Sequence, residues 1–471
     1  MIKKTKIVAT IGPATESAEM LSKLISAGMN VMRLNFSHGD FAEHQRRVDN
    51  IKKISKTTRT PIAILQDLGG PKIRIGDFST ESIVLKKGKL FTITTDNIVG
   101  DEDRVSINYP LFPKEVKKGH IVFLHDGKKK LEVLDIKGNS VICKILIGGE
   151  IKGRRGVNLP DSLISLKSLT SKDIKDLEFG LKNKVDFIAL SFVRKPEDIL
   201  DLRKILNKRK SDAGIIAKIE TPKAIENIDK IIELSDGIMI ARGDLAIEVP
   251  FEKVPKLQKM LIEKSILAGK PAIVATQMLE SMIHSPIATR AEVSDVANAI
   301  LDGTDAVMLS EETTLGEYPV EAVSVMSRIA REVEKNYPER KVRRKEDTAN
   351  ANIPDSITTS VVKIAHDVGA KVIVALTDSG FTARMVSRHR PNPVILSLSQ
   401  NERTSRKLAL SFGCIPVTLT RFHTLTDVFK IMRSFCFKEK LAERGDKVVI
   451  VAGAPFSHKS VRTNMLLVEV L

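Results

Sequence analysis

The sequence predicts a (β/α)8 TIM barrel with an inserted small β-barrel lid domain, followed by a C-terminal α/β domain. Three observations predict it. Short continuous apolar runs rich in Val, Ile and Ala recur eight times, each ending in polar residues. Segments of helical length fill most of the gaps between them. One gap, residues 70–158, breaks the pattern with short alternating runs divided by Gly and Asp turns. Continuous apolar runs suit strands buried on both faces of a parallel sheet, and eight strand–helix units close a barrel. An open doubly wound sheet is the alternative.

The runs are residues 6–9, 30–32, 61–65, 187–190, 215–217, 237–240, 272–275 and 306–309. Residues 17–27 and 290–301 read as connecting helices, the second with Thr289 as N-cap. The polar residues that follow the runs gather where a barrel keeps its active site, at the carboxyl ends of the strands. Within 70–158, strands are expected at 82–85, 90–94, 121–124, 131–134 and 140–147. A barrel loop this long reads as a lid. Residues 335–355, charged and punctuated by Pro338 and Pro354, read as a linker. Beyond it, helices at 357–368, 382–388, 402–411 and 425–441 alternate with strands at 371–376, 393–398, 415–419 and 447–452, with 465–471 as a further strand. The expected units are therefore 1–69 and 159–340 for the barrel, 70–158 for the lid and 341–471 for the C-terminal domain.

Composition narrows the function. The 471 residues are 42% hydrophobic and 28% charged, an ordinary globular balance. A net charge of +17 favours anionic partners, but the basic residues are spread along the chain and the sharpest cluster, 340–345 (RKVRRK), falls in the linker. With 4% aromatics and no Trp, base-stacking platforms are scarce, so no nucleic-acid partner is expected. Cys143, Cys414 and Cys436 are too few and too scattered for a disulfide framework or a thiolate metal site. No run reaches the ~18 apolar residues of a membrane span, and the apolar run near the N-terminus is too short for a signal peptide. A soluble, cytoplasmic protein is expected.

Neither a G-x-x-x-x-G-K-[ST] loop nor a G-x-G-x-x-G turn is present, so nucleotide phosphates would be held in another way. Four constellations carry chemistry. Lys218 and Glu220 share one face of a strand, and Asp244 ends the next strand. Two carboxylates on adjacent strand ends suit magnesium, with a lysine beside them for a substrate phosphate; an ion pair at the barrel rim is the plain structural reading. Gly243, just before Asp244, lets backbone amides approach an anion at the start of a helical turn. Arg33, Asn35 and Ser37 alternate onto one face, and His38 alone reads as a loop histidine. Thr276 places a hydroxyl at the barrel mouth, while Met278 and Met282, four apart, read as core.

The runs ATIGPAT (9–15), MNVMRLNFSHG (29–39), SFVRKPED (191–198), AKIETPKAIENI (217–228), GIMIARGDLAIEVP (237–250), ATQMLESMI (275–283) and TRAEVSDVANAILDGTDAVMLSEETTLGEYP (289–319) resemble the pyruvate kinase family. They cover seven of the eight barrel runs in order. The resemblance implies a phosphotransferase of the last step of glycolysis, passing the phosphoryl group of phosphoenolpyruvate to ADP to give pyruvate and ATP. It implies that Glu220 and Asp244 ligate magnesium, with manganese as an alternative. It implies that Lys218 and Arg33 neutralise the phosphoryl group, that Gly243 and Asp244 hold the substrate carboxylate, and that Thr276 assists protonation of the enolate. Thr10, Pro13, His38, Arg74 and Lys195 would face the nucleotide. A homotetramer is also implied.

Two departures stand out. Where the family commonly has D-T-K-G-P-E-I-R, this chain has Asp67-Leu68-Gly69-Gly70-Pro71-Lys72-Ile73-Arg74. Lys72 replaces the glutamate that accompanies bound potassium. Asn35, Ser37 and Asp67 keep the remaining ligand types of that monovalent-cation site, but the ammonium supplies the charge itself, so potassium is not expected to be required. Glu311 stands where glycine is usual. In the tail, Thr377, Ser379, Gly380 and Thr382 join a strand to a helix, a turn suited to the phosphate of an effector such as a sugar phosphate or AMP. Two other functions remain open here: a magnesium-dependent lyase or aldolase working through a pyruvate enolate, and a nucleic-acid-binding protein motivated by the charge.

Overall fold

Eight parallel strands close on themselves in chain order: Lys6–Thr10, Val31–Asn35, Ala63–Asp67, Phe187–Leu190, Gly214–Ile219, Gly237–Ala241, Ala272–Ala275 and Ala306–Leu309. The computed structural model describes residues 2–162, 164–337, 352–419, 424–453 and 463–471. Side chains alternate as strands require: Val8, Ala63 and Ile216 fill the barrel interior, while Ile7, Ile64 and Ile215 pack outward against the helices. Ala409 and Leu410 of the C-terminal domain join the interior cluster.

Several strands run further than the apolar runs. Arg33 and Asn35 lie within the second strand, Gln66 and Asp67 within the third, and Lys218 within the fifth. Arg33, Asn35, Asp67 and Lys218 point into the barrel mouth, where other polar groups pair them, whereas Gln66 faces outward and donates to Asp176 O at 2.6 Å. Glu220 falls just past the end of its strand, and Asp244 sits in the first turn of helix Arg242–Glu248. Helix Arg290–Leu301 has the expected N-cap: Thr289 accepts from the Glu292 amide.

Between the third and fourth barrel strands lies a six-stranded sheet. Its order is Val157–Asn158, Ile121–Leu124, Lys129–Lys137, Ser140–Ile147, Leu90–Thr94 and Arg104–Ser106. A separate pair joins Gly149–Lys152 to Ser82–Leu85. The expected strand at 131–134 is longer than its apolar stretch, because Lys129, Lys130 and Lys137 also pair with neighbouring strands.

The C-terminal sheet has the order Cys414–Thr418, Val394–Ser399, Val372–Leu376, Lys447–Ala452 and Met465–Val470. All but the last strand are parallel. The expected linker is shorter than its composition suggested. Lys335 ends helix Pro319–Lys335, and helix Ile353–Asp367 begins at Ile353 with Asn352 as a hydrogen-bonded cap. Pro354 occupies the first turn, where its missing N–H costs nothing. The basic cluster at 340–345 and the 340/341 boundary lie outside the described residues.

Asp186, Asp236 and Asp305 each precede a barrel strand and accept the amide of a neighbouring strand, from Ile64, Ile215 and Ala272 at 2.9, 2.7 and 3.1 Å. Two of them also hold the C-terminal domain: Arg406 reaches Asp186 at 3.0 Å and Arg390 reaches Asp305 at 2.7 Å. The three cysteines are buried and unpaired. Among the described residues, no helix is long and apolar enough to cross a membrane.

Candidate active site

Lys218 and Asp67 stand at the mouth of the barrel on almost wholly buried side chains, 3.4 Å apart. The Lys218 ammonium also donates to Ser191 Oγ at 2.7 Å and lies 2.9 Å from Glu220 Oε1. Burial opposes its charge, but Asp67, Glu220 and Asp244 outweigh that and raise its pKa. Asp67 is a buried carboxylate held below its usual pKa because Lys218 and Arg33 overcome the cost of desolvation. Arg33 donates from Nε to Asp67 at 2.8 Å and from Nη1 to Thr10 Oγ at 2.8 Å.

Glu220 is fully buried. Its Oε2 accepts the Phe192 amide at 2.7 Å. Phe192 makes that contact from a left-handed backbone, φ 52°, which a bulky side chain rarely adopts. Burial pushes the Glu220 carboxyl up, Lys218 offsets part of the shift, and the Asp244 carboxylate adds to it.

The residues fit a divalent cation. Glu220 Oε1 is buried, and its one close partner among the described residues is the Lys218 ammonium of the 2.9 Å ion pair. The Asp244 carboxylate accepts no side-chain hydrogen bond and forms no ion pair among the described residues, although its charge acts on Lys218, Lys72 and Glu220. Adding positive charge would relieve the repulsion between the two carboxylates. No group of three or more His, Cys, Asp or Glu gathers here or elsewhere among the described residues, so the carboxylate pair is the candidate. Two carboxylates leave the remaining positions to water and substrate oxygens, as magnesium prefers.

On the far side of Asp244, Gly243 N–H donates to Thr276 Oγ at 2.8 Å, and that hydroxyl donates to Ala275 O at 2.6 Å. Thr276 and Gln277 are left-handed, φ 72° and 54°. Arg242 braces this bend, donating to Thr276 O at 2.9 Å while paired with Asp295 at 2.6 Å.

His38, Lys72, Arg74 and Arg33 form one basic neighbourhood. Partial burial and the other three cations lower the His38 pKa, with Glu311 opposing. Lys72 is exposed, yet its ammonium feels Lys218 and Arg74 as well as Asp244 and Glu220; desolvation and the two cations lower its pKa. Asn35 and Asp67 are register partners, and Asn35 Oδ1 accepts the Ser37 amide at 3.1 Å. Pro13 is exposed nearby in sequence to Thr10, but Thr10 itself is buried and donates to Leu309 O at 2.8 Å, so its hydroxyl supports Arg33. Lys195 is exposed at the start of helix Pro196–Lys208 and joins none of these clusters by an ion pair among the described residues.

In the C-terminal domain, Gly380 has φ 81° and starts helix Phe381–Ser387. Thr382 is buried and shares a 2.8 Å hydrogen bond with Thr463 Oγ1. Thr377 and Ser379 stay accessible, and Thr404 Oγ1 donates to Asp378 O at 2.7 Å.

Sequence reasoning missed the roles of Ser191, Phe192 and Glu248. Ser191 follows an apolar run, which was a usable signal. A left-handed backbone amide at a phenylalanine leaves none. Glu248 receives Asn158 Nδ2 at 2.8 Å across 90 residues of sequence. Burial pushes its carboxyl up to about 7; the Asn158 hydrogen bond opposes the shift, and Asp244 and Glu220 add to it.

A family model described as the pyruvate kinase barrel domain matches residues 2–323, and one described as the pyruvate kinase alpha/beta domain matches residues 355–469. The pyruvate kinase of Clostridium acetobutylicum is 43% identical over 474 residues, with 100% of both chains covered. That of Staphylococcus saprophyticus is 45% identical, covering 99% of this chain and 80% of its own. The crystal structure of a pyruvate kinase from Cryptosporidium parvum superposes with a TM-score of 0.93 at 38% identity, covering 99% of this chain and 96% of that one. Barrel, inserted sheets, C-terminal domain and full-length similarity agree: the chain belongs to the pyruvate kinase family.

Proposed function

We propose that this chain transfers the phosphoryl group of phosphoenolpyruvate to ADP, giving pyruvate and ATP. The observation that carries the reading is the buried Glu220 Oε1, paired only with the Lys218 ammonium, with the Asp244 carboxylate near enough to repel it. Phosphoryl transfer asks for positioning and charge neutralisation more than covalent chemistry. Lys218 and Arg33 neutralise the oxygens of the group in flight, and Ser191 and Asp67 hold those two cations in place. The first turn of helix Arg242–Glu248 offers the Asp244 amide, free of an intrahelical partner, to the substrate carboxylate. Thr276 relays a proton to the enolate carbon through water. His38, Arg74 and Lys195 attract the nucleotide phosphates. Glu220 and Asp244 would hold magnesium or manganese, which when bound stabilises negative charge on the enolate oxygen.

Lys72 makes the reaction independent of potassium, its ammonium standing in the field of Asp244 and Glu220 where a monovalent cation would act. The turn through Thr377, Ser379 and Gly380 takes the phosphate of an activator, a sugar phosphate or AMP. The chain works in the cytoplasm as a homotetramer; three buried free thiols suit a reducing compartment. Light scattering checks the assembly, and titrating phosphorylated sugars and AMP at limiting phosphoenolpyruvate checks the activator.

The test of the main reading is a coupled assay with phosphoenolpyruvate, ADP and magnesium. Pyruvate release that requires ADP supports it. Pyruvate chemistry without ADP would favour the lyase, and no turnover would remove the assignment.

A further inference from the structure

The inserted sheet touches the helix that presents Gly243 and Asp244 at two consecutive residues. Asn158, the end of strand Val157–Asn158, donates to Glu248 Oε1 at 2.8 Å. The neighbouring hairpin tip passes through three left-handed residues, His125, Asp126 and Gly127, at φ 54°, 54° and 80°. A Cβ at Gly127 would stand 3.4 Å from Ile247, so the tip lies against the residue beside Glu248. The two contacts belong to one body. Asn158 pairs with Phe123, and His125 N–H donates to Gly156 O at 3.0 Å. Glu248 follows Asp244 by four residues, one helical turn, so the grip falls on the face and helix that carry the site.

We propose that the Asn158–Glu248 hydrogen bond is a latch that seats the inserted sheet over the barrel mouth, and that Glu248 is a positioning residue for substrate capture. The inference rests on the phosphoryl-transfer reading of that mouth. Glu248 touches no reacting atom in this account. The bond is made when the sheet is seated and is exchanged for water when it lifts, so it biases the closing equilibrium. Losing either partner favours the lifted form, and substrate escapes more easily. The rate of the bound, closed complex changes little, because the groups around the phosphoryl remain.

Steady-state kinetics of N158A, E248A, E248Q and the N158A/E248A double variant test this. N158A and E248A should each raise KM for phosphoenolpyruvate about tenfold, the scale of one partly buried hydrogen bond, with kcat within about twofold. The double variant should be no worse than either single one. E248Q keeps an acceptor oxygen and should return KM to within about twofold of the parent. Backbone hydrogen exchange across residues 121–128 should be faster in N158A than in the parent, with or without substrate. Unchanged KM in both single variants, additive effects in the double, or a loss of kcat at constant KM would each overturn the latch. Should the parent make no pyruvate at all, the reaction assignment fails, and the exchange comparison still decides the latch: equal rates in N158A and the parent refute it.

Discussion

The Lys218 ammonium lies 2.9 Å from Glu220 Oε1, while the other oxygen of that carboxyl takes the Phe192 amide at 2.7 Å. Lys218 therefore balances two buried carboxylates, Glu220 and Asp67, and still faces the mouth. Replacing it by Gln keeps much of the volume and removes the charge. Lys218→Gln should lower kcat by about 10²–10³-fold, the range for loss of one electrostatic stabiliser. Initial rates at saturating substrates measure this; a loss of less than about tenfold would move the neutralising role elsewhere.

Lys72 should decide the monovalent-cation requirement. The parent should turn over equally in potassium, sodium and Tris salts. Lys72→Glu reverses a charge that stands in the field of Asp244 and Glu220 and should make activity rise with added potassium. Strong potassium activation of the parent would contradict the proposed substitution of ammonium for ion.

Gly70 leaves room for the segment that supports Lys218 and Glu220. It has φ 67°, and a Cβ there would meet Ser191 Cβ at 2.8 Å and the Phe192 ring at 3.1 Å. Gly70→Ala should cost about 1–3 kcal/mol of stability through backbone strain and crowding. Activity should fall further than stability explains, because Ser191 and Phe192 move. Urea unfolding alongside steady-state rates tests both parts; unchanged values in both would show that the segment yields freely.

Glu248 gives a pH signature. Its carboxyl is pushed from the usual range up to about 7. A raised carboxyl pKa means the folded state binds the proton more tightly, so this contribution to stability is present at low pH and is lost as pH rises from about 4.5 towards 7. Glu248→Gln cannot ionise. In metal-free buffer, its stability relative to the parent should rise by on the order of 1–3 kcal/mol between pH 4.5 and pH 8. Thermal or urea unfolding at the two pH values measures it; a constant difference would place the titration elsewhere.

Much of the site was legible because barrel strands put chemistry at predictable places. Lys218, Glu220 and Asp244 follow apolar runs in adjacent units, so a shared mouth follows from topology. Apolar pattern alone marks the barrel strands as too short. An apolar run ends at the first polar residue, whereas pairing continues through Arg33, Asn35, Asp67 and Lys218, whose charges satisfy one another inside the mouth. Thr10, which the resemblance implies faces the nucleotide, is buried, and its hydroxyl accepts from Arg33, a contact with no sign in the sequence. The Phe192 amide and the Asn158–Glu248 bond were not legible. One is a backbone donor set by an unusual φ, and the other joins residues with no local pattern between them.

The central claim is that Glu220 and Asp244 together hold a divalent cation beside Lys218. Titration of the parent, Glu220→Gln and Asp244→Asn with manganese, followed by electron paramagnetic resonance in the presence of phosphoenolpyruvate, tests it without relying on turnover. The account predicts one tight site per chain in the parent and its loss or strong weakening in both variants. Undiminished manganese binding in folded Glu220→Gln and Asp244→Asn would contradict it.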